Sequence, residues 1–435
     1  ISFDELNNKI FFQQTSVKIK SNRRISEIFE LDLDSKKNTK VTTGSNDSIP
    51  KISPNGNFLA FIRSTEISKN KKRNSIFIKD FSKDKEFQLT DDFKSVKSWD
   101  ETSGMFNWDN ASSRIVYSFR SIQSDDGKLK PLVVDRIRYR HDALGWVGDV
   151  FNQIEIINIV DRTVISVPNI ECDHINPVFS NNDQFIAFIS DEGEKRDTNW
   201  IQRVEIFNIN LKNISKINQS FGGLFSLTWS EDDSQIIALG SNENKYADQR
   251  TSSLFSLNLK NSERVNLNIN EFAFNSQSNL TCSSAITVSY TSKGISFIAD
   301  FDLIKNDFKI LFGKDSRILQ VSTGKSNKNV IFIQNSRDFH ESICLYDRNS
   351  RKLDYLYFPN KEFFQKHPVS KMEKFEINRL NYQIESRLFL PKKIDSSRKY
   401  PVIIDIHGGP HGRFEDQISI SQEIFTSNNF IVLAV

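Results

Sequence analysis

The sequence is poor in cysteine: its 435 residues hold three, together with two methionines, ten prolines and sixteen glycines. Cys172, Cys282 and Cys344 lie far apart and make no C-x-x-C pair. That excludes a disulfide framework or a zinc ribbon, and an odd, sparse set fits free thiols packed as small hydrophobes in a reducing compartment. A cytoplasmic location is the corresponding expectation. No run approaches the ~18 apolar residues of a membrane helix. With 58 basic and 55 acidic side chains the formal charge is +3. So small an excess gives no reason to expect a nucleic-acid or membrane partner. No cofactor or metal is expected either. The chain opens on Ile1 rather than Met, so an upstream segment, a signal peptide included, is compatible with it.

What is abundant is alternation. Hydrophobic residues make up 37% and charged residues 26% of the chain, enough apolar material for a real core and a length that suggests two or three domains. SPNGNFLAFIRS from Ser53, FSNNDQFIAFISD from Phe179 and WSEDDSQIIALGS from Trp229 are copies of one pattern, a polar turn running into an apolar strand. Weaker copies start at Leu6, Trp108, Thr291 and Lys325, and every copy is followed by a second strand, such as SEIFELDLDSKK from Ser26. With Asn7, Ser53, Asp109, Ser180, Ser230, Ser292 and Ser326 as equivalent turn positions, the gaps run from 34 to 71 residues. Antiparallel units repeating at roughly 40 to 50 residues read as propeller blades, because a closed ring covers faces that one blade leaves bare. The fold class expected is mainly β: a seven-bladed β-propeller, with an open β-repeat or an array of sandwiches as the alternatives.

Several features inside this region have plain explanations. Trp108 and Trp229 precede equivalent turns and read as packing anchors between blades. KNKKR at Lys69–Arg73 reads as a basic hairpin loop, and the charged group Asp191, Glu192, Glu194, Lys195, Arg196 and Asp197 as a solvated one. The segment from Asp135 gathers Arg136, Arg138, Arg140 and His141 near Asp142 and Trp146. An inter-blade insertion held by Arg–carboxylate pairs is favoured over a role at a peptide end or channel mouth.

Around Phe358 the pattern changes. Residues 359–375 read as a connector, and EINRLNYQIESRLFLPKK as two strands joined at Asn378–Tyr382. PVIIDIHGGPHG follows, an apolar strand expected to be buried on both faces of a parallel sheet, running into His407, Gly408, Gly409 and Pro410. Such a turn can aim a backbone N–H at an oxyanion. A plain tight turn, or a metal site from His407 and His411, are the other readings. Gly–Gly–Pro between the two histidines forbids the helix that would align them. A helix over 417–427 and a strand in NNFIVLAV complete an α/β unit.

SPDG-like turns followed by a strand–HGGPHG–strand unit resemble the prolyl oligopeptidase family, most closely its acylaminoacyl-peptidase-like branch, which YRHDALGW also resembles. The resemblance covers essentially the whole chain. It implies a propeller over residues 1–358, the connector, and the N-terminal part of an α/β-hydrolase domain over 376–435. It also implies hydrolysis of short or N-acylated peptides by a Ser–Asp–His triad, with Gly409 offering an oxyanion N–H and Gly408 and His407 shaping the loop. Peptide substrate is the implied partner, and a homo-oligomer is compatible with it. The sequence departs from the family in one respect: no G-x-S-x-G string occurs. The triad is therefore expected beyond Val435, with both ends of the chain truncated. The competing readings are a propeller-linked esterase and a non-catalytic, TolB-like interaction scaffold.

Overall fold

The computed structural model describes residues 1–435 except 69–70, 98–102, 123–132, 135–136, 138, 142–144, 147–149, 170, 192–196, 200, 243–251, 268–272, 275–279, 283–284, 304, 306 and 409–411. The first half of the basic KNKKR run, most of the charged 191–197 group, Asp142, Gly409 and His411 thus lie outside the described residues. Of the segment from Asp135, a short antiparallel pair, Arg140–His141 with Gly145–Trp146, is described.

The chain divides into two compact units. One comprises Ile1–Asn268, Ser276–Ile286 and Ser322–Asn327; the other Ile269–Asn275, Thr287–Val321 and Lys328–Val435.

The first unit is a succession of antiparallel sheets of four or five strands. In the fourth, His174–Phe179, Phe185–Asp191, Gln202–Asn208 and Asn213–Lys216 pair in chain order. The second strand of each sheet is the apolar run found by the repeat, and it is flanked on both sides. Ile186, Ala187, Phe188 and Ile189 are accordingly sealed from solvent, as are Ile236, Ile237, Ala238 and Leu239 of the fifth sheet. Side chains from neighbouring sheets interlock: Val116 and Ile156 of the third pack with Ile186, Phe188 and Phe207 of the fourth. Trp229 belongs to such a layer, and both tryptophans tie backbones together. Trp108 Nε1 donates to Lys51 O (2.9 Å) and Trp229 Nε1 to Val178 O (3.2 Å). The anchor role expected for them is what the structure shows.

The repeated turn has one hydrogen-bond plan. Ser53 Oγ donates to Asn55 Oδ1 (2.7 Å) and accepts Phe58 N–H (3.0 Å), while Asn55 Oδ1 accepts Asn57 N–H (3.0 Å). Ser180 with Asn182 and Ser230 with Asp232 repeat it. The fourth turn position has positive φ, at Gly56 (75°), Asp183 (59°) and Asp233 (56°), which restricts it to glycine or short polar residues. At the Asp109 copy the carboxylate itself accepts Ser113 and Arg114 N–H. The turns also join one to the next. Asp233 accepts the Asn181 and Asn182 N–H groups (2.7 and 2.9 Å), and Asp183 those of Asn110 and Ala111 (2.8 and 3.0 Å).

The second unit carries two further antiparallel sheets, built around Ile295–Asp302 and Asn329–Asn335, and one mixed sheet. The mixed sheet runs Lys371–Arg379, Tyr382–Leu390, Ile431–Ala434, Val402–Asp405. Its last two strands are parallel, joined through the helix Ile420–Ser427. The strand–loop–helix–strand unit is thus present. The residues read as a connector contain a short helix, Lys361–Lys366, and Lys371–Phe375 pair with Leu390–Ser386. Burial of the apolar strand on both faces is not met within these 435 residues: Val402–Asp405 is an edge strand, with Val402, Ile404 and Ile406 56%, 62% and 72% exposed.

Candidate active-site loop

The strand Val402–Asp405 delivers the chain to the glycine loop. Asp405 O accepts Val435 N–H (3.0 Å), and its carboxylate accepts Gln422 Nε2–H (3.0 Å) from the buried face of the helix. The strand end is therefore fixed from two directions. His407 and Gly408 follow, both exposed. His407 Nδ1 lies 3.1 Å from Gly408 O, and its ring meets Phe414 edge-on at 6.0 Å. Phe414 packs on the small core of Phe389, Val432 and Ala434. Where the loop returns, a side chain at Gly412 would overlap the Gly408 carbonyl. The backbones at Gly408 and Gly412 thus meet at a narrow neck.

The returning arm of the loop is held by charge. Glu415 accepts from Arg317 Nε (2.9 Å), Arg413 Nε (3.3 Å) and Thr291 Oγ1 (3.1 Å). Asp416 accepts Arg387 Nε–H at 3.0 Å and is also paired with Lys374. Arg387 and Asp416 are each about 2% exposed, and Arg387 is completed by Glu385 at 2.8 Å. Burial works against the Lys374 charge, but hydrogen bonds and proximity to Asp416 and Asp315 outweigh it and hold its pKa above the ordinary value. Gly294 (φ 71°) stands where a side chain would collide with the Arg387 guanidinium. A second clasp joins Arg337 to Ser370 O and to Glu423 Oε1 (3.2 Å), while Glu423 accepts Ser370 N–H (2.7 Å). Sequence reading had not singled out Glu415, Asp416 or Arg387. The signal available was the pair of acids that follows HGGPHG after Arg413 and Phe414.

The structure brings His407 and Gly408 together at the head of this loop and adds no metal centre: among the described residues no group of three or more His, Cys, Asp and Glu side chains could hold an ion. Nor is any helix of the described residues long and apolar enough to cross a membrane. The thiols differ from expectation at one position. Cys344 is a buried hydrophobe, its pKa pushed up to about 12 by burial. Cys172 is half-buried, with Sγ 3.1 Å from His174 Nε2. Burial, and then Lys216, push His174 down to about 4, so the imidazole is neutral.

No family model and no curated protein matches the sequence. Solved structures do match the fold. An acylaminoacyl peptidase in complex with Z-Gly-Gly-Phe-chloromethyl ketone is 15% identical with a TM-score of 0.80, over 100% of this chain and 64% of that one. The Pyrococcus horikoshii acylaminoacyl peptidase gives 15% and 0.78, covering 98% of this chain and 63% of that one. A puromycin-hydrolyzing peptidase of Mycobacterium tuberculosis gives 12% and 0.68, over 98% and 64%. The fold defined by these sheets is therefore that of peptidases, and the chain spans under two thirds of the length of each of these three.

Proposed function

We propose that this chain is part of a serine peptidase acting on short or N-acylated peptides. In this reading residues 1–358 are a seven-bladed propeller, 359–375 the connector, and 376–435 the start of an α/β-hydrolase domain. The Ser, Asp and His of the triad then belong to sequence that the 435 residues do not contain. The observation that carries the proposal is the strand Val402–Asp405 opening directly onto the Gly408–Gly412 neck, in a fold shared with acylaminoacyl peptidases. The open edge of that strand, with Val402 and Ile404 exposed, supports further strands adding to the mixed sheet.

In the proposed reaction the loop supplies electrostatics rather than a nucleophile. As the serine oxygen adds to the scissile carbonyl, negative charge moves onto the carbonyl oxygen. The Gly409 N–H, outside the described residues, would donate to it, while Asp405, Phe414 and Asp416 fix the described chain on either side. His407 and Gly408 shape the approach. Such a donor is worth about 10² to 10³ in rate when lost.

The test is hydrolysis of acyl-amino-acid anilides and of p-nitrophenyl esters by the full-length protein, with fluorophosphonate labelling of its nucleophile. Cleavage of the anilides with one labelled serine is expected, and Gly409→Pro should lower kcat by about 10² or more. Turnover of esters alone would establish the esterase instead. No labelling and no turnover would leave an interaction scaffold.

A further inference from the structure

The first unit holds a half-open cavity of about 470 Å³ that the peptidase reading does not use. Its wall is made where three sheets break register. The first strands of the second, fourth and fifth sheets shift against their partners between Ser48 and Lys51, Ile175 and Val178, and Leu224 and Ser226. Two residues at these breaks hold left-handed backbone, Ile49 at φ 51° and Asn176 at φ 53°. For a β-branched residue that conformation is costly, and strain of this kind persists where the surrounding structure over-determines it. Bulges re-aim side chains, and Lys51, Asn176 and Phe225 all line the one cavity.

Hydrogen bonds link these positions in series. Lys51 Nζ donates to Phe106 O and Asn107 Oδ1, both at 2.6 Å, and sits 5.2 Å from the Phe106 ring centre. Asn107 Nδ2 donates in turn to Pro177 O (2.8 Å), and Asn176 Nδ2 to Phe225 O (2.8 Å). The partners found for the ammonium are neutral. The two acids of the wall are committed elsewhere: Asp4 accepts from Asn7 N (3.1 Å) and Nδ2 (2.9 Å), and Glu5 from Ser326. Of the other cations there, Lys325 reaches toward Asn110 at 3.4 Å. Lys51 itself is pushed down to about 7 by burial. A half-buried ammonium with no carboxylate partner among the described residues favours an incoming anion.

We propose that this cavity is a binding site for a small organic carboxylate with an apolar tail, its carboxylate paired to Lys51 and its tail against Trp108, Phe225 and Leu280. One central ammonium with a side-chain amide beside it matches a single negative charge. A phosphate dianion would be half neutralised, lacking the arginine fork or helix N-terminus that such groups use. The bound anion would also stabilise the charged form of Lys51, so binding above pH 7 would take up a proton.

Calorimetric titration of the 435-residue chain with N-acetylphenylalanine and with its amide tests this without requiring turnover. At pH 8 the acid is expected to bind at one site with proton uptake, read from the dependence of the heat on buffer ionisation enthalpy, and the amide at least tenfold more weakly. Lys51→Met should abolish binding of the acid. Thr228→Leu, which narrows the cavity and leaves the ammonium in place, should weaken it, so the result does not hang on one variant's folding. Equal binding of acid and amide, unaltered binding by both variants, or tighter binding of inorganic phosphate would overturn the assignment, as would no heat with the acid at millimolar concentration.

Discussion

Two strands of this molecule have similar sequences and opposite surroundings. FIAFISD at 185–191 is paired on both sides, and Ile186, Phe188 and Ile189 are wholly buried. VIID at 402–405 is paired on one side, and Val402 and Ile404 are more than half exposed. The apolar run alone does not decide burial. What decides it is whether partners stand on both edges and both faces of the strand. In the antiparallel sheets those partners come from the next hairpin and the next sheet, whereas the edge of the mixed sheet has none among the described residues.

The largest effect should come from placing a charge in each strand in turn. Ile186→Asp buries an unpaired carboxylate and is expected to cost more than about 4 kcal/mol, seen as loss of the cooperative urea transition. In the 435-residue chain Ile404→Asp should stay within about 0.5 kcal/mol, because there the new carboxylate remains in water. An equal loss from both would end the comparison.

A smaller effect should appear in the mixed sheet where it does bury charge. Asp416→Asn takes from Arg387, in a site about 2% exposed, the more buried of the two carboxylates paired with it, and breaking a buried pair costs up to about 3–5 kcal/mol. Denaturation followed by protection of the amides of 385–390 and 431–435 should show that part opening first. If the amides of 185–191 open equally early, the stability of the two regions is not separable.

Smallest is the turn linkage. Asp233→Ala removes acceptors from the Asn181 and Asn182 N–H groups, which are exposed enough to find water. The expected loss is about 1 kcal/mol in the same urea transition. A loss several times greater would mean that the turns, and not the apolar layers, dominate the stability of these sheets.

Much of this was legible beforehand, for a physical reason. Turn chemistry is local: Ser, then Asn or Asp two residues on, then a residue tolerant of positive φ, determines its hydrogen bonds within six residues, so Ser53, Ser180 and Ser230 could be equated by eye. HGGPHG was legible for the same reason. The exposure of Val402 and Ile404 was not, since strand order is a property of the whole sheet. The pairing of Asp416 with Arg387 joins residues 29 apart, and Lys51 meets Asn107 across 56. Neither partner carries a local mark of the other. Cys172 and His174 were close enough in sequence to be noticed, but only the strand geometry turns a two-residue spacing into a contact.

The bond between Glu5 and Ser326 spans 321 residues, and this has a meaning for synthesis. A ribosome adds ~5–20 residues per second, so Glu5 leaves the exit tunnel tens of seconds before its partner exists. During that interval the first hairpin must survive with its acceptor unfilled. A nascent chain arrested shortly before residue 326 should therefore expose its amino-terminal strands to proteases, and one arrested well beyond it should not.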